Sequence, residues 1–108
     1  MRRVKNTKGK GTRLELRARK ELEELGYLVV RAAGSFGPVD LVAMPTRILG
    51  VHSPSWTRLI QVKANRNPRS PEMKELRRFR RRLSRVDYSI EIWRFNDGDK
   101  DFHVKDVL

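Results

Sequence analysis

The sequence predicts one α/β domain, a mixed β-sheet flanked by helices, and three patterns within its 108 residues point to it. Leu14, Ala18, Leu22 and Leu25 recur at helical spacing. Leu76, Phe79, Leu83 and Val86 do so again further along. Around them lie apolar, β-branched runs bounded by glycine, proline, asparagine and aspartate, the signature of short strands. Strands interleaved with amphipathic helices bury their apolar faces by packing helix on sheet. A chain of this length buries an adequate but modest core, so dimerisation would help to stabilise it.

The elements follow in order. Residues 1–11, "MRRVKNTKGKG", carry five basic side chains and almost nothing apolar, and are expected to form a mobile basic arm ahead of a single domain at 12–108. "TRLELRARKELEELGY" reads as the first helix, with Gly26 placed to end it. "YLVVRAA" and "VDLVAM" read as two strands of one hairpin, joined through the glycines and proline of "AGSFGP". From Pro45 to Thr57 the signals conflict, "RILGVH" suggesting a strand and "SPSW" a turn, and an irregular insert is expected. "TRLIQVKA" is a strand with Ile60 and Val62 on one face and Gln61 and Lys63 on the other. Ser70 and Pro71 look like the N-cap and first residue of the second helix. "YSIEIWRF", the turn "NDGD" and "KDFHVKDVL" suggest a closing hairpin.

Composition narrows the function. Lysine and arginine number 25 against 13 acids, a formal charge of +12 that exceeds what solubility needs and favours a polyanionic partner such as nucleic acid. The absence of cysteine excludes disulfides and thiolate–metal sites, and His52 and His103 are too few and too separated for a zinc cluster. No apolar run approaches the roughly 20 residues that span a bilayer, so a soluble, cytoplasmic protein without membrane partners is expected.

Charge inside the strands is the informative anomaly. Alternation places Asp40 on the face of Val42, and Gln61 on the face of Lys63, so pairing of the two strands would gather an acid, an amide and a lysine. Phosphodiester hydrolysis uses such a group. A carboxylate holds a divalent cation, a second oxygen ligand completes its shell, and the lysine activates water or neutralises the phosphate. Glu15 on the first helix would add another oxygen.

With Gly11 and Glu15, "RAAGSFGPVDLVA", the strand bearing "QVK", the second helix and the closing strands, the chain resembles the archaeal-type Holliday junction resolvases of the PD-(D/E)XK nuclease superfamily over most of its length. The resemblance implies a restriction-endonuclease-like fold and a Mg²⁺-dependent endonuclease that resolves four-way DNA junctions. By matching position the catalytic residues are Glu15, Asp40, Gln61 and Lys63, the first three being the metal ligands. It also implies that Arg31 and Ser35 contact or position the scissile phosphate. Symmetric nicking of a junction needs two active sites, hence a homodimer. Gln61 stands where the family usually has glutamate, so metal affinity should fall and Mn²⁺ should substitute well. Leu16 replaces the arginine that usually follows the helix glutamate, and the insert between Asp40 and Gln61 is longer than in the resolvases.

Plainer readings stand beside these. Thr12 and Glu15 also form a T-x-x-E capping box. An aspartate at the head of an apolar strand costs strand propensity, which favours function for Asp40. Lys63 is equally the kind of charge that protects an edge strand, and only its partnership with Asp40 raises it above that. Ser35 and Gly34 suit a turn whether or not a phosphate is bound. Arg77, Arg78, Arg81, Arg82 and Arg85, with Arg80 among them, are either a solvated face or a DNA-facing surface, and their density with few acids nearby favours DNA. Trp56 and Trp93 read as packing residues. Two other functions remain open: a nuclease of the same fold acting on other branched or nicked DNA, and a non-catalytic DNA-binding module in which Gln61 marks a decayed metal site.

Overall fold

In the computed structural model, which describes residues 7–32, 34, 36–48, 51–52 and 56–108, helix α1 spans Thr7–Glu24. It begins five residues before Thr12, so residues 7–11 belong to the helix and not to an arm; residues 1–6 of that expected arm lie outside the described residues. Once Ala18 and Leu22 are packed, each further turn adds hydrogen bonds to an existing nucleus, and this carries the helix through Gly9 and Gly11 despite their cost of about 1 kcal/mol each. Gly26, at φ 96°, ends it with its N–H on the Glu23 carbonyl at 3.0 Å. Leu25, expected on the buried face, lies beyond the helix and is exposed.

Strand β1 (Tyr27–Arg31) pairs antiparallel with β2 (Leu41–Pro45), as the hairpin reading expects. The insert contains a separate antiparallel ribbon of β3 (Arg47–Ile48) and β4 (Val51–His52), more ordered than the irregular segment expected. Strand β5 (Thr57–Ala64) joins β2 antiparallel, then pairs parallel with β6 (Tyr88–Phe95), and β7 (His103–Asp106) closes the sheet antiparallel to β6. The order β1-β2-β5-β6-β7 is therefore mixed. A parallel pair needs a crossover, and α2 (Ser70–Arg81) supplies it.

The helices cover opposite faces. Ala18 and Leu22 of α1 pack with Tyr27, Val29, Leu41, Ala43, Ile60 and Trp93, while Leu76 of α2 packs with Val39, Leu59, Ile90, Ile92 and Val107. Strand β5 sits third of five and contributes Ile60 to one core and Leu59 to the other. A helix on each face buries it on both sides, and its pairing with both β2 and β6 rules out the edge-protecting reading of Lys63. Beside it, Glu91 of β6 is buried but fully engaged, accepting from Arg58 at 2.6 and 2.8 Å, Ser89 at 2.6 Å and the Trp93 indole at 2.9 Å. Burial pushes its carboxyl up, and the Arg58 hydrogen bonds outweigh that to hold it below the usual carboxylate value.

Helix α2 departs from expectation at both ends. Its N-cap is Arg69, one residue before Ser70, and it stops at Arg81, so Leu83 and Val86 follow it and Val86 is exposed. No described helix is long and apolar enough to cross a membrane.

Candidate active site

Asp40 stands one residue before β2, at the point where the β2–β5 ladder ends on the pair Leu41–Ile60. Its backbone ties three elements together: its N–H donates to the Ile60 carbonyl and its carbonyl accepts from Ala32 N–H, both at 2.8 Å. Beyond the last ladder pair, β5 needs another acceptor. The Asp40 carboxylate supplies it, taking the Val62 N–H on Oδ2 at 2.7 Å. The aspartate is thereby locked against the backbone between Gln61 and Lys63. Burial, above all, raises its pKa, and the nearby Glu15 charge raises it further, against the opposing pull of Val62 N–H, Lys63 and Arg31. Asp40 is thus the point at which the charges of Glu15, Lys63 and Arg31 are felt together.

Gln61 is buried, at 8% exposure. Its Nε2 donates to the Pro38 carbonyl at 3.0 Å, which leaves Oε1 buried with no hydrogen-bond partner among the described residues. The loop that brings Pro38 there depends on Gly37, whose φ is 62° and where an added Cβ would stand 3.0 Å from the Phe79 ring of α2. An unsatisfied buried acceptor costs about 1–3 kcal/mol, a deficit that a hard cation would remove.

Lys63 reaches across to α2, where its ammonium pairs with Glu72. That carboxylate also accepts from Arg66 at 2.9 Å and from the Arg69 backbone N–H at 2.8 Å. Desolvation pushes Glu72 up, but the Lys63 bond, the Arg69 N–H and the Arg66 bond together hold its pKa down at about 2. Sequence reasoning missed Glu72. Its place in the first turn of a helix was visible as a capping signal, whereas its contact with Lys63 requires α2 to fold back over β5.

Because the folded pKa of Glu72 lies below the ordinary value, the stability it contributes is fully present above about pH 4.5 and is lost as pH falls toward 2. Glu72→Gln is therefore expected to lower the melting temperature at neutral pH, and the gap to wild type should close as pH falls through that window. Melting curves of both proteins between pH 6 and acid test this; a gap independent of pH would assign Glu72 to packing alone.

Glu15 is partly buried, and its Oε1 accepts from Arg31 Nε at 2.9 Å. Thr12 lies inside α1, so the capping box that competed for Glu15 does not form. The arrangement thus brings Glu15, Lys63 and Arg31 within electrostatic reach of Asp40, while the Gln61 amide bonds the Pro38 carbonyl two residues before it. Two carboxylates and an amide oxygen are hard donors that suit Mg²⁺. Among the described residues, no cluster of three or more His, Cys, Asp or Glu offers a competing site.

Ser35 lies outside the described residues. Arg77, Arg78 and Arg81 on α2, then Arg82 and Arg85 just after it, are all exposed, as a polyanion-facing surface requires. Arg80 points inward and is buried.

No family model and no curated protein matches this sequence. Among solved structures, the chain is similar to Hjc, a Holliday junction resolvase from the hyperthermophilic archaeon Archaeoglobus fulgidus, with 24% identity and a TM-score of 0.65 over 91% of this chain and 73% of that one. The five-stranded mixed sheet with a helix on each face is thus the fold that this chain shares with an archaeal Holliday junction resolvase.

Proposed function

We propose that this chain is a Mg²⁺-dependent endonuclease that resolves four-way DNA junctions as a homodimer. The observation that carries the proposal is the unpartnered, buried Oε1 of Gln61, next in sequence to the Val62 whose N–H holds the raised-pKa carboxylate of Asp40, in a fold shared with a resolvase. Glu15, Asp40 and Gln61 would hold the cation. When bound, Mg²⁺ would polarise a phosphoryl oxygen and lower the pKa of an attacking water.

The chain's own groups have separate tasks. Asp40 is kept in place by the Val62 N–H, so its carboxylate presents charge without rotating away. Lys63, oriented by its ion pair with Glu72, donates to the phosphate and offsets negative charge as the pentavalent state forms. Arg31, tethered to Glu15 through Nε, positions the scissile phosphate with its remaining N–H groups. Arg77, Arg78, Arg81, Arg82 and Arg85 bind the junction arms. Two symmetric nicks need two such sites, and a dimer provides them.

Cleavage rate against Mg²⁺ concentration for wild type and Gln61→Glu, on junction, duplex and single-stranded DNA with an EDTA control, tests the proposal. Gln61→Glu adds anionic charge and is expected to lower the half-saturating Mg²⁺ concentration by roughly tenfold, the effect of about 1.4 kcal/mol. Mn²⁺ should replace Mg²⁺ in both. Cleavage of duplex in preference to junctions would remove junction resolution and leave a nuclease of the same fold with another DNA substrate. A wild type inactive at every metal concentration, beside an active Gln61→Glu, would make the natural protein a DNA-binding module.

A further inference from the structure

Arg80 is the charged side chain that the nuclease site leaves unexplained. It lies on the inner face of α2 at 6% exposure, and its Nη1 is buried without a hydrogen-bond partner among the described residues. It lines an open recess of about 260 Å³ between the end of α2, the start of β6 and the segment after β7, together with Arg85, Ser89 and Asp106. Neither arginine is ion-paired within the described residues. The acids nearby do not answer the charge: Asp106, though it lines the same recess, is exposed and ion-pairs with neither arginine, and Glu91 is engaged by Arg58. Burial, and then the Arg85 charge, depress the Arg80 pKa, so the two cations share one field.

An uncompensated buried charge opposes folding, and a planar fork beside a second cation matches a tetrahedral oxyanion. We infer that Arg80 and Arg85 form a phosphate-binding recess, separate from the metal site, that takes a phosphodiester of a bound nucleic-acid strand or free inorganic phosphate. The nucleic-acid source rests on the proposed function; the phosphate chemistry does not. Arg80 is eight residues from Glu72 along α2, about 12 Å at 1.5 Å per residue. Successive phosphates of one strand lie roughly 6–7 Å apart, so that distance corresponds to about two phosphate steps, and a strand cut at Lys63 and running along α2 would present a second phosphate there.

The test is thermal melting in inorganic phosphate against chloride at equal ionic strength, a measurement that involves neither DNA nor metal. Wild type is expected to gain several degrees in phosphate, the order expected when one site fills in a domain of this size. Arg80→Met should lose that gain and melt no lower than wild type in chloride, because the uncompensated charge is gone. Arg85→Met, an exposed change that leaves the packed face of α2 intact, should also lose most of the gain, and Lys74→Met, exposed on the same helix, should keep it. In a second arm, the salt slope of DNA binding should fall by about one unit in Arg80→Met. An unchanged slope with the phosphate gain lost would assign the recess to free phosphate. Arg80→Met melting well below wild type in chloride while Arg85→Met keeps the full phosphate gain would overturn the inference and make Arg80 a structural residue. Loss of a dimer in Arg80→Met, with no phosphate effect in wild type, would also overturn it in favour of a carboxylate from a second copy.

Discussion

Asp40→Asn is expected to reduce cleavage by about 10³-fold or more while leaving folding and DNA binding near wild type, since removing a metal-ligating charge takes away several kcal/mol of transition-state stabilisation. The amide keeps an oxygen for the Val62 N–H, so the end of the β2–β5 ladder survives. Stability should move the other way. The pKa of Asp40 is raised, chiefly by burial, so ionising it costs the folded state. The asparagine variant should therefore melt at or above wild type at neutral pH without metal, and that advantage should vanish as pH falls and Asp40 takes up its proton. Cleavage assays with metal and melting without it measure both effects on the same two proteins. A variant that cuts at the wild-type rate would remove Asp40 from the chemistry. Lys63→Ala should lose activity comparably, but it also takes one of its partners from Glu72, so its activity needs a stability measurement beside it.

Reversing Arg77, Arg78, Arg81, Arg82 and Arg85 to glutamate should have the largest effect on binding. Each phosphate neutralised on a duplex arm contributes about −0.9 to the slope of log K against log salt, so five contacts account for a slope of about −4.5. The reversals take the formal charge from +12 to +2, two units for each of five positions. Because all five side chains are exposed, the fold should be kept. Binding to an uncut junction, measured in the Asp40→Asn background over a range of salt, should weaken by orders of magnitude at low salt and lose most of its slope. A slope unaffected by the reversals would place the DNA surface elsewhere on this basic chain.

Most of the fold was legible because its signals are local. The helical spacing of Ala18 and Leu22, and Gly26 at the helix end, need only neighbouring residues to be interpreted. So do the alternating strand of Ile60 and Gln61 and the glycine-bounded hairpin of β1 and β2. The start of α1 was misjudged because propensity favoured an arm where propagation from a packed nucleus carried the helix on. The end of α2 was misjudged because Leu83 and Val86 keep the period without keeping the burial.

The site divides along the same line. Period-two alternation alone set Gln61 and Lys63 on one face of an apolar strand and Asp40 at the head of another, and the count of lysine and arginine alone favoured a polyanionic partner. Tertiary structure decided the rest: β5 is interior, which removes the edge reading of Lys63; Glu72 is the acid that pairs with it; and Arg80 is turned inward while its neighbours face solvent. The physical reason is range. Alternation and charge are properties of a few consecutive residues, whereas burial and electrostatic pairing depend on which distant segment packs above, and α2 reaches Lys63 and the start of β6 through a crossover whose placement no single segment encodes.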